Sequence, residues 1–247
     1  MRGFRKSEVS RKDGFVTLTL QKFPTTPHLA ILGDADVRTD KVLSATECTE
    51  FLCHEIVVEE KVDGANLGIS FDKDGDIHLQ NRGSFVSSSA GGQWKKLEEW
   101  LSPRTKSLFS LITDRYILFG EWCYAQHSVF YEQLPDWFLG FDLFDKSKER
   151  FLACDVRDDL FVRMGINGVP LIAKGQFSLE GLVELLSKSR FGNESAEGLY
   201  LRFDEDGWLG QRAKLVDSRF IQAIELHWSR APLRLNHLRT EVWHDSD

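Results

Sequence analysis

The chain has 247 residues, enough for one large domain or two small ones around a substantial core. Hydrophobic residues at 42% and charged residues at 28% exclude a disordered chain, and no apolar run reaches membrane-spanning length. The net charge of −7 excludes a uniformly basic nucleic-acid coat and leaves room for a local basic cleft.

The N-terminus, Met1-Arg-Gly-Phe-Arg-Lys, lacks the apolar core of a signal peptide. The four cysteines (Cys48, Cys53, Cys123, Cys154) contain no C-x-x-C pair, so the expectation is reduced thiols without zinc in a cytoplasmic protein. Residues 15–20 alternate as a strand, and Lys22 to Leu29 form a proline-punctuated loop that cannot be helical. Lys22 and His28 of that loop either reach a phosphate or serve the loop alone. A short helix is expected at 46–54.

The β-branched run Ile56-Val57-Val58 leads through two acids to Lys61, beside the turn signal Asp63-Gly64. Alternation resumes at Leu67, Ile69 and Phe71, so this stretch reads as strand, tight turn, strand. A lysine at such a rim is either an ordinary solvated residue or, with its ammonium deprotonated, a nucleophile. A turn at 72–75 and a strand at 77–81 follow and deliver Arg82. Ser84–Gly92 is a Ser/Gly-rich loop, and no G-K-[ST] follows it, which excludes a Walker-type phosphate loop. Helical spacing occupies 93–101 and 105–113, separated at Pro103.

The strand from Arg115 to Tyr124 carries Glu121, an acid that is expensive to bury unless it is paired or serves a ligand. Trp137 to Asp145 reads as a strand, within which Phe141 either packs in the core or stacks on a base. Helices are expected at 155–164 and 178–189, with a strand at 169–173 between them. Residues 196–203 and 208–215 form two strands around the turn at Asp204–Gly207. On the second, Arg212 and Lys214 are two apart and share a face, which is either a solvated edge or a site for one shared anion. A helix is expected over 217–228. From Trp208 to Arg239 there are six Lys/Arg against two acids, so this segment is +4 while the remainder is −11.

The ordered set Glu60-Lys61-Val62-Asp63-Gly64-Ala65-Asn66, Arg82, Gly120-Glu121, Phe141, Glu197-Gly198 and Arg212-Ala213-Lys214 resembles the covalent nucleotidyltransferases. That superfamily comprises DNA ligases, RNA ligases and mRNA capping enzymes. Asn66 stands where DNA ligases usually have Arg, and the set is most similar to ATP-dependent RNA ligases of the phage RNA ligase 2 type. The resemblance covers roughly residues 55 to 220.

The resemblance implies an α+β nucleotidyltransferase (ligase adenylylation) domain, with antiparallel sheets flanked by helices and no OB domain. It would be a single domain over 1–247, with a motif core at 55–220 and a short helical C-terminal extension at 221–247. The implied reaction is ATP-dependent joining of RNA 3′-OH and 5′-phosphate ends through a lysyl-AMP intermediate, with Mg²⁺ or Mn²⁺ and no membrane. Lys61 would be the nucleophile, Glu60 and Phe141 would hold adenine, and Arg82 and Glu121 the ribose. Asn66 would sit at the reacting phosphate, Glu197 would bind the metal, and Arg212 and Lys214 would neutralise the α-phosphate. Arg212 departs from the lysine of the related phage enzyme: it keeps the charge but donates no proton readily. Two alternatives stay open, a self-adenylylating module that binds RNA or signals without sealing, and a nick sealer acting on DNA or RNA. Arg230, Arg234 and Arg239 lie past the last motif and are expected to meet RNA phosphates.

Overall fold

The computed structural model describes residues 6–11, 14–33, 41–223 and 233–240, with backbone alone at 6–19 and 221–223. β1 (Lys6–Arg11), absent from the sequence reading, pairs with β2 (Gly14–Thr19) as a separate antiparallel ribbon. α1 (Ala45–Leu52) starts where a capping box dictates: Glu47 N–H donates to Ser44 Oγ, and Ser44 N–H donates back to the Glu47 carboxylate at 2.8 Å.

The strands β3 (Ile56–Lys61) and β4 (Ala65–Phe71) follow as expected, yet they do not pair with each other. β4 joins a sheet with β5 (Ile77–Gln80). Next come α2 (Leu97–Leu101) and α3 (Thr105–Ile112). The helix expected at 93–101 is interrupted after a 3-10 turn at Gly92–Trp94, where the Gln93 carbonyl accepts from Trp122 Nε1 at 2.6 Å. β6 (Tyr116–Trp122), β7 (Phe138–Asp145) and β8 (Arg150–Phe151) extend the sheet, followed by α4 (Cys154–Met164) and β9 (Asn167–Gly168). Its order is β5-β4-β6-β7-β8, antiparallel throughout, with β9 parallel against β7.

β10 (Leu171–Gly175), β11 (Gly198–Glu205) and β12 (Trp208–Val216) build the second sheet, order β10-β3-β11-β12, also antiparallel. Between β10 and β11 lies α5 (Leu179–Glu184), capped by Ser178. It stops well before the expected 189. The non-helical chain beyond it gives the buried Glu60 carboxylate a hydroxyl from Ser189 at 2.5 Å and the N–H of Arg190 at 2.8 Å. A continuing helix would have taken that N–H for itself.

Each sheet buries its outer face under helices. Leu67, Ile69 and Phe71 pack with Leu97, Leu108, Ile112 and Phe161, while Ile56, Val58, Leu199 and Leu201 pack with Phe51 and Leu182. Between the sheets lies an aromatic cluster of Phe119, Phe141, Phe144 and Phe151. Two fully buried arginines tie the sheets together there. Arg157 of α4 grips Glu59 at 2.5 Å and the Phe141 carbonyl at 2.7 Å, and Arg202 of β11 bonds Asp142 at 2.5 Å and the Leu152 carbonyl at 2.8 Å.

α6 (Ser218–Ala223) begins at the expected helix, whose remainder lies outside the described residues, as does Arg230. The expectation of a helical C-terminal extension is corrected at 233–240. This stretch is extended and bridges Leu235 to Ala125 and Leu238 to Leu134. Its backbone bonds go to the distant loop at 124–134 instead of to its own sequence neighbours. All four cysteines are free, and among the described residues no helix is long and apolar enough to cross a membrane.

Candidate active site

Lys61 ends β3, and Val62–Gly64 carry the chain from the smaller sheet into β4 of the larger one. The crossing is tight: a Cβ on Gly64 would lie 2.9 Å from the Trp122 carbonyl and 3.1 Å from Cys123 Sγ. Only glycine lets the turn lie against the end of β6. Asp63 pins the same turn, its carboxylate accepting from the N–H groups of Ser128 (2.5 Å) and Val129 (3.1 Å), and its own N–H donating to Tyr131 Oη at 2.7 Å. Gly198 faces Lys61 across β3–β11, and a Cβ there would meet the Val216 Cα at 2.9 Å. The β3–β11 register puts the neighbouring Glu197 beside Lys61, whose ammonium donates to the Glu197 carboxylate.

Two adjoining cavities open between the sheets around this lysine. The inner one, about 140 Å³, is lined by Glu60, Phe141 and Tyr200 and by the loop Phe23-Pro24-Thr25-Thr26. The outer one, about 730 Å³, takes in Glu197, Asp63, Gln93, His127 and Arg219. Lys61, Asn66, Arg82, Glu121 and Lys214 line both. The structure therefore gathers eight of the nine candidate residues around one cleft.

Arg212 is the exception and lines neither cavity. Its guanidinium bonds Asp142 and Tyr200 Oη, both at 3.2 Å, and lies 4.0 Å over the Phe151 ring. The expectation that Arg212 and Lys214 share one anion is corrected accordingly. Arg212 is tied to a buried carboxylate that it shares with Arg202, whereas Lys214, which lines the cleft, has no carboxylate within ion-pair distance among the described residues. The Glu60 carboxylate is likewise engaged by Ser189 and Arg190, so its bonds run to that loop and not into the inner cavity.

Burial and a crowd of like and unlike charges set the protonation of the site. Burial favours neutral Lys61, but the carboxylates of Glu197 and Asp63 outweigh it and raise its pKa, which keeps the ammonium. Lys214 is pushed down to about 8, by burial first and by Lys61 second. Glu121 is pushed up to about 8, chiefly by burial, against the pull of Arg82 and Lys61. Asn66 faces Glu121 in the β4–β6 register. Both Asn66 amide atoms and Glu121 Oε2 are buried without a hydrogen-bond partner among the described residues. Unsatisfied buried groups of this kind carry a cost of about 1–3 kcal/mol each, which a ligand would relieve.

Sequence reasoning passed over Phe23, Thr25, Thr26 and Tyr200. Phe23 sits in the proline loop, where no periodicity marks it. The loop reaches the cleft because Lys214 N–H donates to the Pro27 carbonyl at 2.9 Å and Leu29 N–H to the Lys214 carbonyl at 2.8 Å. Phe23 then meets Phe141 edge-on, with ring centroids 5.1 Å apart. His28 lines neither cavity and is buried in the sheet edge, its pKa pushed down to about 4 by burial and by Lys214 and Lys61. Lys22 is exposed.

The family model described as RNA ligase matches residues 54–216. A mutant of Naegleria gruberi RNA ligase with ATP and Mn is similar in fold, with a TM-score of 0.57 at 15% identity over 83% of this chain. Another mutant of that ligase, with AMP and Mn, gives 0.57 at 16% identity over 84%, and the ligase with PPi gives 0.56 at 16% over 86%. The chain spans 64% of the first two of these structures and 66% of the third. No curated protein matches the sequence significantly.

Proposed function

The chain belongs to the RNA ligase family, and from that premise we propose that it seals RNA 5′-phosphate and 3′-OH ends with ATP, through a covalent Lys61–AMP adduct. The observation that carries this reading is the convergence on one cleft of a lysine, a second cation and unpartnered polar groups: Lys61, Lys214, Asn66 and Glu121. Nucleotidyl transfer asks a protein for alignment and for positive charge on the phosphate more than for bond-making groups.

The nucleoside would enter the inner cavity, its base between Phe141, Phe23 and Val169 and its ribose toward Arg82 and Glu121. Lys61 Nζ then forms a bond to the α-phosphorus, the bond to the β-phosphate oxygen breaks, and pyrophosphate leaves. Lys61 must first lose a proton, which the Glu197 and Asp63 carboxylates hold on it and which burial works to strip. Asn66 and Lys214 would hold the α-phosphate oxygens. In the second step an RNA 5′-phosphate oxygen takes the AMP and Lys61 recovers its amine. In the third, a 3′-OH attacks the 5′-phosphorus, the strands join and AMP departs.

Glu197 offers carboxylate oxygen to a hard divalent ion beside the place of the phosphates, while among the described residues no three His, Cys, Asp or Glu gather into a metal site. Glu197 would hold the ion. When bound it would withdraw charge from the phosphate oxygens.

Intact-mass spectrometry after incubation with ATP and Mg²⁺ should find an AMP adduct on the protein and none on Lys61→Ala. An adduct on that variant removes Lys61 as the nucleophile. Nicked RNA carrying a 5′-phosphate should become one longer strand; adduct formation without sealing would favour a self-adenylylating module instead.

A further inference from the structure

The extended stretch 233–240 lies more than a hundred residues along the chain from Lys61, yet its bonds lead there. Asn236 is buried, 1% exposed, with both ends of its amide engaged. Its Nδ2 donates to the Cys123 carbonyl at 2.8 Å, and its Oδ1 accepts the Tyr131 N–H at 2.9 Å. Backbone bonds hold the stretch in place on either side: Gln126 N–H to the Arg234 carbonyl, His237 N–H to the Tyr131 carbonyl, and Arg239 N–H to the Leu134 carbonyl, each 2.9 Å.

The two groups that Asn236 holds are each one step from a candidate active-site residue. Tyr131 is fully buried, and its Oη accepts the N–H of Asp63, two residues beyond Lys61. Cys123 stands two residues beyond Glu121, at the end of β6 against which Gly64 packs. Asn236 is thus the bracket between the turn that aims Lys61 and the strand end that carries Glu121.

We propose that Asn236 is a positioning residue for nucleotidyl transfer, acting through Tyr131 and Asp63 to fix Lys61 against the α-phosphate. The inference rests on the function proposed above. Burial of an unpaired amide or carbonyl is costly, so one amide satisfying two separate segments holds both to a single spacing. A nucleophile displaced by about 1 Å loses roughly a hundredfold in rate, while the pocket that binds the nucleotide changes little.

The test is single-turnover adduct formation, with rates taken per active molecule from the completed adduct, on Asn236→Ala, Tyr131→Phe and the double variant. Tyr131→Phe removes only the acceptor for Asp63 and keeps the ring, so it answers the question even where Asn236→Ala lowers stability. Each single variant should slow adduct formation about tenfold or more with ATP affinity nearly unchanged. The double variant should be no slower than the worse single, because both interrupt one chain of contacts. Losses that multiply, or rates per active molecule equal to the parent, overturn the positioning role. An unmodified protein that forms no adduct at all overturns the proposed function, and the positioning role with it.

Discussion

Lys61 and Glu197 form an ion pair where β3 and β11 run antiparallel, with Gly198 opposite Lys61 in the register. Burial works to strip the proton from Lys61, and Glu197, followed by Asp63, keeps it on. Glu197 therefore stands between the ligand-free site and an attacking amine.

Removing that carboxylate has a definite sign. Glu197→Gln takes away the strongest attraction on the ammonium, leaving burial to lower the Lys61 pKa against the weaker pull of Asp63 and Glu121. The acid limb of the pH–rate profile for adduct formation should move to lower pH by about one unit or more, while the maximal rate falls. Single-turnover rates across the pH range read this directly. A limb that stays in place would detach Glu197 from the proton on Lys61.

Asn66 should matter to chemistry and not to stability. Its amide has no partner among the described residues, so Asn66→Ala removes no hydrogen bond seen there. The thermal midpoint should hold or rise, while adduct formation slows by about a hundredfold, the usual effect of losing one donor to a charged phosphate or oxyanion. A large drop in melting temperature would mean that Asn66 supports the fold.

Glu121 predicts a pH dependence of stability. Its pKa of about 8 lies above that of the unfolded chain, so the folded state keeps a proton that the unfolded chain has already released. Stability from this residue is full below the ordinary carboxylate pKa and is lost as the pH rises toward 8. Glu121→Gln has no such proton. It should match the parent at pH 5 and exceed it at pH 9 by on the order of 4 kcal/mol in denaturant unfolding. Equal stabilities at both pH values would contradict this.

The buried Arg157–Glu59 pair sets the distance between the sheets at the Phe141 carbonyl. Arg157→Met strands the Glu59 carboxylate and should cost about 3–5 kcal/mol. Adding Glu59→Gln should recover part of that loss. No recovery would show that Arg157 acts through Phe141 alone.

Arg234 carries what can be tested of the basic C-terminal segment. Its guanidinium lies 4.0 Å over the Phe130 ring, exposed and clear of the cleft. Arg234→Gln should leave adduct formation unchanged and flatten the log–log salt dependence of RNA binding by about 0.7 to 0.9 if it meets one phosphate. An unaltered slope assigns Arg234 to packing on Phe130.

Much of this could be read along the chain because it is local. Alternation and turn residues place β3, β4, β11 and β12, the capping box places α1, and Gly64 and Gly198 mark the two close approaches. The order of motif residues named the family, and eight of nine candidates line one cleft, most of them at strand ends or in turns, where spacing constrains direction. Tertiary structure decided the rest, wherever the partner is remote in sequence. That β3 and β4 part into different sheets shows only in their pairing with remote strands, and that Arg212 turns to Asp142 and α5 yields its last turns to Glu60 follows from buried charges seeking donors and acceptors elsewhere. The extended 233–240 stretch is the plainest case: with no periodicity of its own, it takes its shape from the N–H and carbonyl groups of residues 123–134, which only the folded chain brings within reach.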